Sequence, residues 1–118
     1  MSNTATAVSM ASTEAVLRNH LHAATLGVDA VMQDYTEDSV LITHDATYRG
    51  FAEIRRFFTA LFGELPAGFF DAVQMNRTEI IGEVAYILWE RRPIISQATD
   101  TFVVRNGKIL FQTFTAAT

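Results

Sequence analysis

The stretch ATDTFVVRNGKILFQTF, Ala98 to Phe114, decides the fold. Two runs in which apolar residues recur every second position flank Asn106-Gly107. That dipeptide suits a two-residue type I′ turn, which needs positive φ at both central positions, so the runs are predicted to be antiparallel neighbours in one sheet. Side chains alternate between faces along a strand, so Asp100, Phe102 and Val104 share one face while Thr101, Val103 and Arg105 share the other. A carboxylate therefore stands on what reads as a core face.

Upstream, period-two segments at 69–81 and 84–93 join those at 97–105 and 108–115 to make four strands. In the segment 84–92, Val84, Tyr86, Leu88 and Glu90 alternate with Ala85, Ile87, Trp89 and Arg91. Both faces are largely apolar, and a sheet of that kind needs cover on both sides. Helices supply one cover. For the other we expect a second copy of the chain, packed against the outer sheet face as a homodimer, with Trp89 in that interface.

The helices precede the four strands. Val16, Leu17, Leu21 and Ala24 form one stripe of a helix expected over Thr13–Leu26, with Ser12 as its N-cap; His20 falls within the stripe and His22 opposite it. Val28 to Tyr35 reads as a short second helix, VLIT at 40–43 as a brief strand, and HDATYRG at 44–50 as a loop. Phe51, Ile54, Phe57, Phe58, Leu61 and Phe62 mark a third helix over 51–62. Residues 1–12 are expected to form a disordered tail before a single domain spanning 13–118.

Composition narrows the function classes. A chain of 118 residues with 49% hydrophobic content can build one core without staples, and the absence of cysteine excludes thiol nucleophiles and thiolate metal sites. A net charge of -4 gives no electrostatic footprint for nucleic acid or anionic membrane. No basic-then-apolar leader and no spanning run of about 18 apolar residues is present, so a cytoplasmic location is expected. No metal-ligand spacing, phosphate loop or nucleophile elbow occurs, and neither cofactor nor metal is expected.

The order of elements, with DAVMQDYTEDSVLI, YRGFAEIRRFF and TDTFVVRNGKI, resembles the SnoaL-like branch of the nuclear transport factor 2-like superfamily over residues 13–115. The resemblance implies an α+β cone, a curved antiparallel sheet wrapped around three helices with an apolar pocket at its open end. It also implies relatedness to ketosteroid isomerase, which pairs a neutral strand aspartate with a tyrosine and a basic aspartate. On that likeness Asp100 matches the strand aspartate and His20 the tyrosine, while the base position falls at Thr43, which cannot serve. His44 or Glu90 could replace that base, or be exposed.

Asp100 and His20 are thus the candidate catalytic pair, unless Asp100 starts its strand in solvent and His20 is a satisfied core histidine. Ligand contacts are expected from Tyr35, Phe57, Leu61, Met75, Leu88, Glu90, Phe102 and Phe114. The reading is a small-molecule-binding protein that isomerises, cyclises or dehydrates a hydrophobic substrate by acid–base chemistry. Its rivals are a non-catalytic ligand-binding or dimerisation module and an accessory protein that docks through its surface.

Overall fold

The computed structural model describes residues 3–118, with side chains from Met10 onward. Helix α1 (Asn3–Ala24) leads to a short α2 (Val28–Met32), strands β1 (Val40–Thr43) and β2 (Thr47–Arg49), then α3 (Gly50–Glu64). A 3-10 turn at Phe69–Ala72 introduces β3 (Gln74–Ile81), β4 (Val84–Arg91), β5 (Ile95–Arg105) and β6 (Lys108–Ala117). The six strands form one sheet in the order β2-β1-β6-β5-β4-β3.

Three expectations change. The tail expected over residues 1–12 is helical from Asn3: Ala5, Ala7, Met10 and Ala11 favour the helix and no Gly or Pro interrupts the chain before Gly27, so Ser12 lies inside the helix rather than at its N-cap. The first two residues fall outside the described part. The sheet is mixed rather than antiparallel, since β1 runs parallel to β6, with Val40 opposite Phe111 and Thr43 opposite Phe114. Within the expected loop, Thr47–Arg49 pairs back onto β1 as an edge strand.

The predicted turn is present: Asn106 has φ 54 and Gly107 φ 75, and Arg105 pairs with Lys108. Helix α1 packs across β3, β4 and β5, while α3 covers β1 and β2. The core between helices and sheet centres on Leu41, Ile54, Ile87, Phe102 and Ile109, each at most 2% exposed. At the start of α3, Gly50 has φ +78, and its missing side chain makes room for Glu37, whose Oε1 accepts from the Phe51 amide at 3.0 Å. Glu53 accepts from the Arg49 amide at 2.9 Å, so two otherwise unpaired donors at the helix start are satisfied.

The sheet bends at three irregularities. Asn76 is an extra residue in β3 between Met75, opposite Trp89, and Arg77, opposite Leu88. In β5 the register slips between Ala98, opposite Trp89, and Ile95, opposite Arg91. Leu110 is extra in β6 between Ile109, opposite Val104, and Phe111, opposite Val103. Bulges of this kind increase twist and bend the bulged strand.

Candidate functional site

Inside the curve lies a cavity of about 230 Å³ between α1, α3 and the inner face of β4, β5 and β6. Phe57, Phe58, Leu61, Phe62, Phe69 and Phe70 wall one side, and Trp89, Phe102 and Phe114 the other. Met75, 38% exposed, belongs to the lining and marks its rim. Besides the Trp89 indole, the polar side chains that reach the lining are His20, Asp100 and Gln112.

Asp100 points inward because β5 alternates as its sequence indicates: Ala98, Asp100, Phe102 and Val104 are all buried. Its carboxyl is 6% exposed and held from both sides. Trp89 Nε1 donates to Oδ2 at 2.8 Å, and Gln112 Nε2 donates to Oδ1 at 2.9 Å. Tyr35 Oη in turn donates to Gln112 Oε1, which fixes the amide with its nitrogen toward the carboxyl. Burial pushes the Asp100 pKa above the ordinary aspartate range; the bonds from Trp89 and Gln112 and the nearby His20 act in the opposite sense without cancelling it. Tyr35 is driven well above its usual pKa, mainly by burial and then by the charges of Asp100 and Asp34, so it stays a neutral donor.

His20 is on the buried stripe of α1, as its spacing indicates, but its closest polar partner is Asp34. Nδ1 lies 2.9 Å from Asp34 Oδ2. A carboxylate only accepts, so Nδ1 carries the proton and a neutral ring keeps its lone pair on Nε2. Nε2 has no hydrogen-bond partner among the described residues and is not sealed from solvent, and the ring belongs to the cavity lining. The ring is braced edge-on by Phe102 and Tyr35, at 5.4 and 5.8 Å between centroids.

The structure therefore brings Asp100, His20, Phe57, Leu61, Met75, Phe102 and Phe114 to one cavity. Other candidates are placed elsewhere. Tyr35 is 2% exposed and sits behind Gln112 rather than on the lining. Leu88 and Glu90 face away from the cavity. Ile87 and Trp89 occupy the inner side of β4, and Trp89 belongs to the cavity instead of the outer face assigned to it from sequence. Glu90 is bonded to Asn76 at 2.8 Å and Arg92 at 2.5 Å, which together hold its pKa below the usual range.

Neither replacement base for Thr43 reaches the cavity. His44 is exposed and pairs with Asp45 at 3.2 Å, and the Thr43 hydroxyl receives the Asp45 and Ala46 amides in the turn between β1 and β2. Among the described residues no cluster of three His, Asp or Glu side chains could hold a metal, and no helix is long and apolar enough to cross a membrane.

No protein-family model matches the chain, and no curated protein matches it. Solved structures do. A SnoaL-like protein of unknown function from Burkholderia thailandensis superposes with a TM-score of 0.73 at 12% identity, covering 92% of this chain and 96% of the other. An NTF2-like protein of unknown function from Mesorhizobium loti gives 0.72 at 15% identity, over 92% and 93%. A protein from Sinorhizobium meliloti, provisionally named a polyketide cyclase, gives 0.67 at 18% identity, over 84% and 92%. At such identities the likeness concerns backbone architecture: the chain has the cone-shaped α+β fold shared by nuclear transport factor 2-like and SnoaL-like proteins.

Proposed function

We propose that the chain binds a hydrophobic small molecule in the cavity and transfers a proton on it, with Asp100 as acid and His20 as base. The observation that carries this reading is a carboxyl group buried in an aromatic cavity, its pKa raised by burial. A carboxylic acid kept neutral can donate a proton or a strong hydrogen bond to a carbonyl oxygen. His20 Nε2 removes a proton from the carbon beside that carbonyl, an enol forms, and Asp34 stabilises the resulting imidazolium through Nδ1. Return of the proton to a different carbon shifts a double bond. The same pair could expel a hydroxyl as water or close a ring. No cofactor takes part in these steps.

Deuterium exchange tests the reading. A ketone such as 1-indanone, incubated with the protein in D2O, should exchange its α-protons faster than in buffer. Asp100→Asn and His20→Gln should each remove the acceleration while the ketone still binds. Binding without exchange in the unmodified protein would favour the non-catalytic ligand-binding alternative.

We also propose a homodimer formed through the outer sheet face. Cross-strand partners Ile81, Val84, Val103, Phe111 and Val40 follow one another across five strands as one apolar row, with Ile81, Val84 and Phe111 at 68%, 41% and 44% exposure. A contiguous row of this kind is what a self-complementary twofold interface requires.

A further inference from the structure

The lining of the cavity constrains what could fill it. Its three polar side chains gather around one wall: Phe102 is the register partner of Gln112, Asp100 lies two residues before Phe102, and the His20 ring meets Phe102 at 5.4 Å. The one other hydrogen-bonding side chain in the lining, Trp89, already gives its indole N–H to Asp100. A ligand that fills this space has a single polar end and an otherwise hydrocarbon body, because a polar group elsewhere would be desolvated without a partner.

Size follows from volume. An engineered apolar cavity of about 150 Å³ accommodates benzene, so one of about 230 Å³ scales to roughly nine or ten non-hydrogen atoms. That is one ring with a short chain, or two fused rings. Three or four fused rings would exceed that volume and either project past the Met75 rim into water or displace Phe57, Phe62 or Phe70, which brace one another: Phe57 packs on Phe58 at 5.1 Å, Phe58 on Phe62 at 5.9 Å, and Phe62 on Phe70 at 5.2 Å.

Charge follows from the lining. No Lys or Arg contributes to it. The one group able to become cationic, His20, already faces the Asp34 carboxylate at 2.9 Å, so a protonated ring is compensated from behind. A ligand anion would enter an aromatic-walled space next to Asp100 with no uncompensated positive charge to meet it.

Resting on the proposed function, we infer that the ligand class is an uncharged one- or two-ring compound of about ten non-hydrogen atoms, bearing one carbonyl or hydroxyl oxygen that faces Asp100. Anionic acids and molecules of three or more fused rings are discriminated against.

The chain contains a single tryptophan, and its indole N–H bonds Asp100 on the cavity wall, so one indole signal in a proton–nitrogen NMR spectrum reports occupancy. Three probes are titrated against the full chain: 1-indanone, 3-phenylpropionate of similar size, and a four-ring steroid ketone. The expected result is a saturable shift with 1-indanone, at least tenfold weaker binding of 3-phenylpropionate, and no saturable shift with the steroid. Binding of 3-phenylpropionate or the steroid as tight as that of 1-indanone overturns the size or charge assignment while leaving the proposed function standing. Absence of a saturable shift with all three overturns both. Asp100→Asn should bind 1-indanone within about threefold of the unmodified protein; retention of binding in the variant together with loss of deuterium exchange separates recognition from chemistry.

Discussion

Trp89 and Asp100 stand diagonally across the β4–β5 ladder, and the indole N–H of the first donates to the carboxyl of the second at 2.8 Å. The bond opposes the rise in the Asp100 pKa that burial produces. Trp89→Phe keeps an aromatic wall and removes the donor, so the charged carboxylate loses a stabilising partner. The Asp100 pKa should move further up, and a carbon-detected NMR titration of the Asp100 carboxyl would record it. An unchanged or lower value would mean that the indole does not hold the carboxylate.

Asp100 also sets a pH dependence of stability. Its folded pKa lies above the unfolded value, so its favourable contribution is complete below about pH 3.9, the unfolded value, and is lost as pH rises through the folded pKa. Asp100→Asn cannot titrate. In urea denaturation at a series of pH values, the stability of the variant relative to the unmodified protein should therefore rise with pH above about 4 and level off once Asp100 is ionised in the fold. Each pH unit across that window corresponds to at most about 1.4 kcal/mol. A difference that stays flat with pH would place the carboxyl in a solvated setting.

Asp34 positions His20. With the carboxylate in place, nitrogen NMR should find the neutral ring protonated on Nδ1 and bare on Nε2. Asp34→Ala removes the acceptor, and the ring should redistribute between tautomers. Loss of the buried partner should cost about 1–3 kcal/mol in denaturant unfolding. A variant that retains the Nδ1–H form would show that some other contact orients the imidazole.

Gly50 tolerates no side chain. At φ +78, an added Cβ would lie 2.8 Å from Glu37 Oε1 and 3.2 Å from the Glu37 backbone oxygen. The side-chain end can swing away, but the backbone oxygen cannot, and the left-handed conformation is itself unfavourable for alanine. Gly50→Ala should cost about 1–3 kcal/mol, read as a lower urea midpoint with an unchanged slope.

For the dimer, Phe111→Glu places a charge within the apolar row on the outer sheet face. Light scattering at micromolar concentration should give twice the chain mass for the unmodified protein and the single mass for the variant. A single mass for both would remove the proposed interface.

Much of this arrangement is legible in the sequence, and the parts that are not have physical reasons. Asp100 could be oriented because Asn106-Gly107 pins one end of β5 and the alternation runs unbroken from Ala98 to Val104. Trp89 could not: both sides of β4 are apolar, so alternation separates the sides without saying which is inner. The pairing of Ile87 with Asp100 settles it, and that pairing lies beyond a register slip near Arg91 which the residues do not announce. Gln112 escaped notice because Leu110 interrupts the alternation, so Ile109 and Gln112, three apart, both point inward. Asp34 meets His20 from the turn just after α2, a contact that helical periodicity within α1 does not contain.

The extra residue at Leu110 separates the bend of the wall from the direction of its side chains. Were it deleted, Ile109, Phe111 and Gln112 would alternate regularly opposite Val104, Val103 and Phe102, so every inward group would stay inward while the strand straightened. The curvature of the wall and the polar side chains that face inward from it are thus encoded by separate residues. Gain or loss of a single backbone position here would alter the bend of β6 while Ile109 and Gln112 keep their inward places beside Asp100.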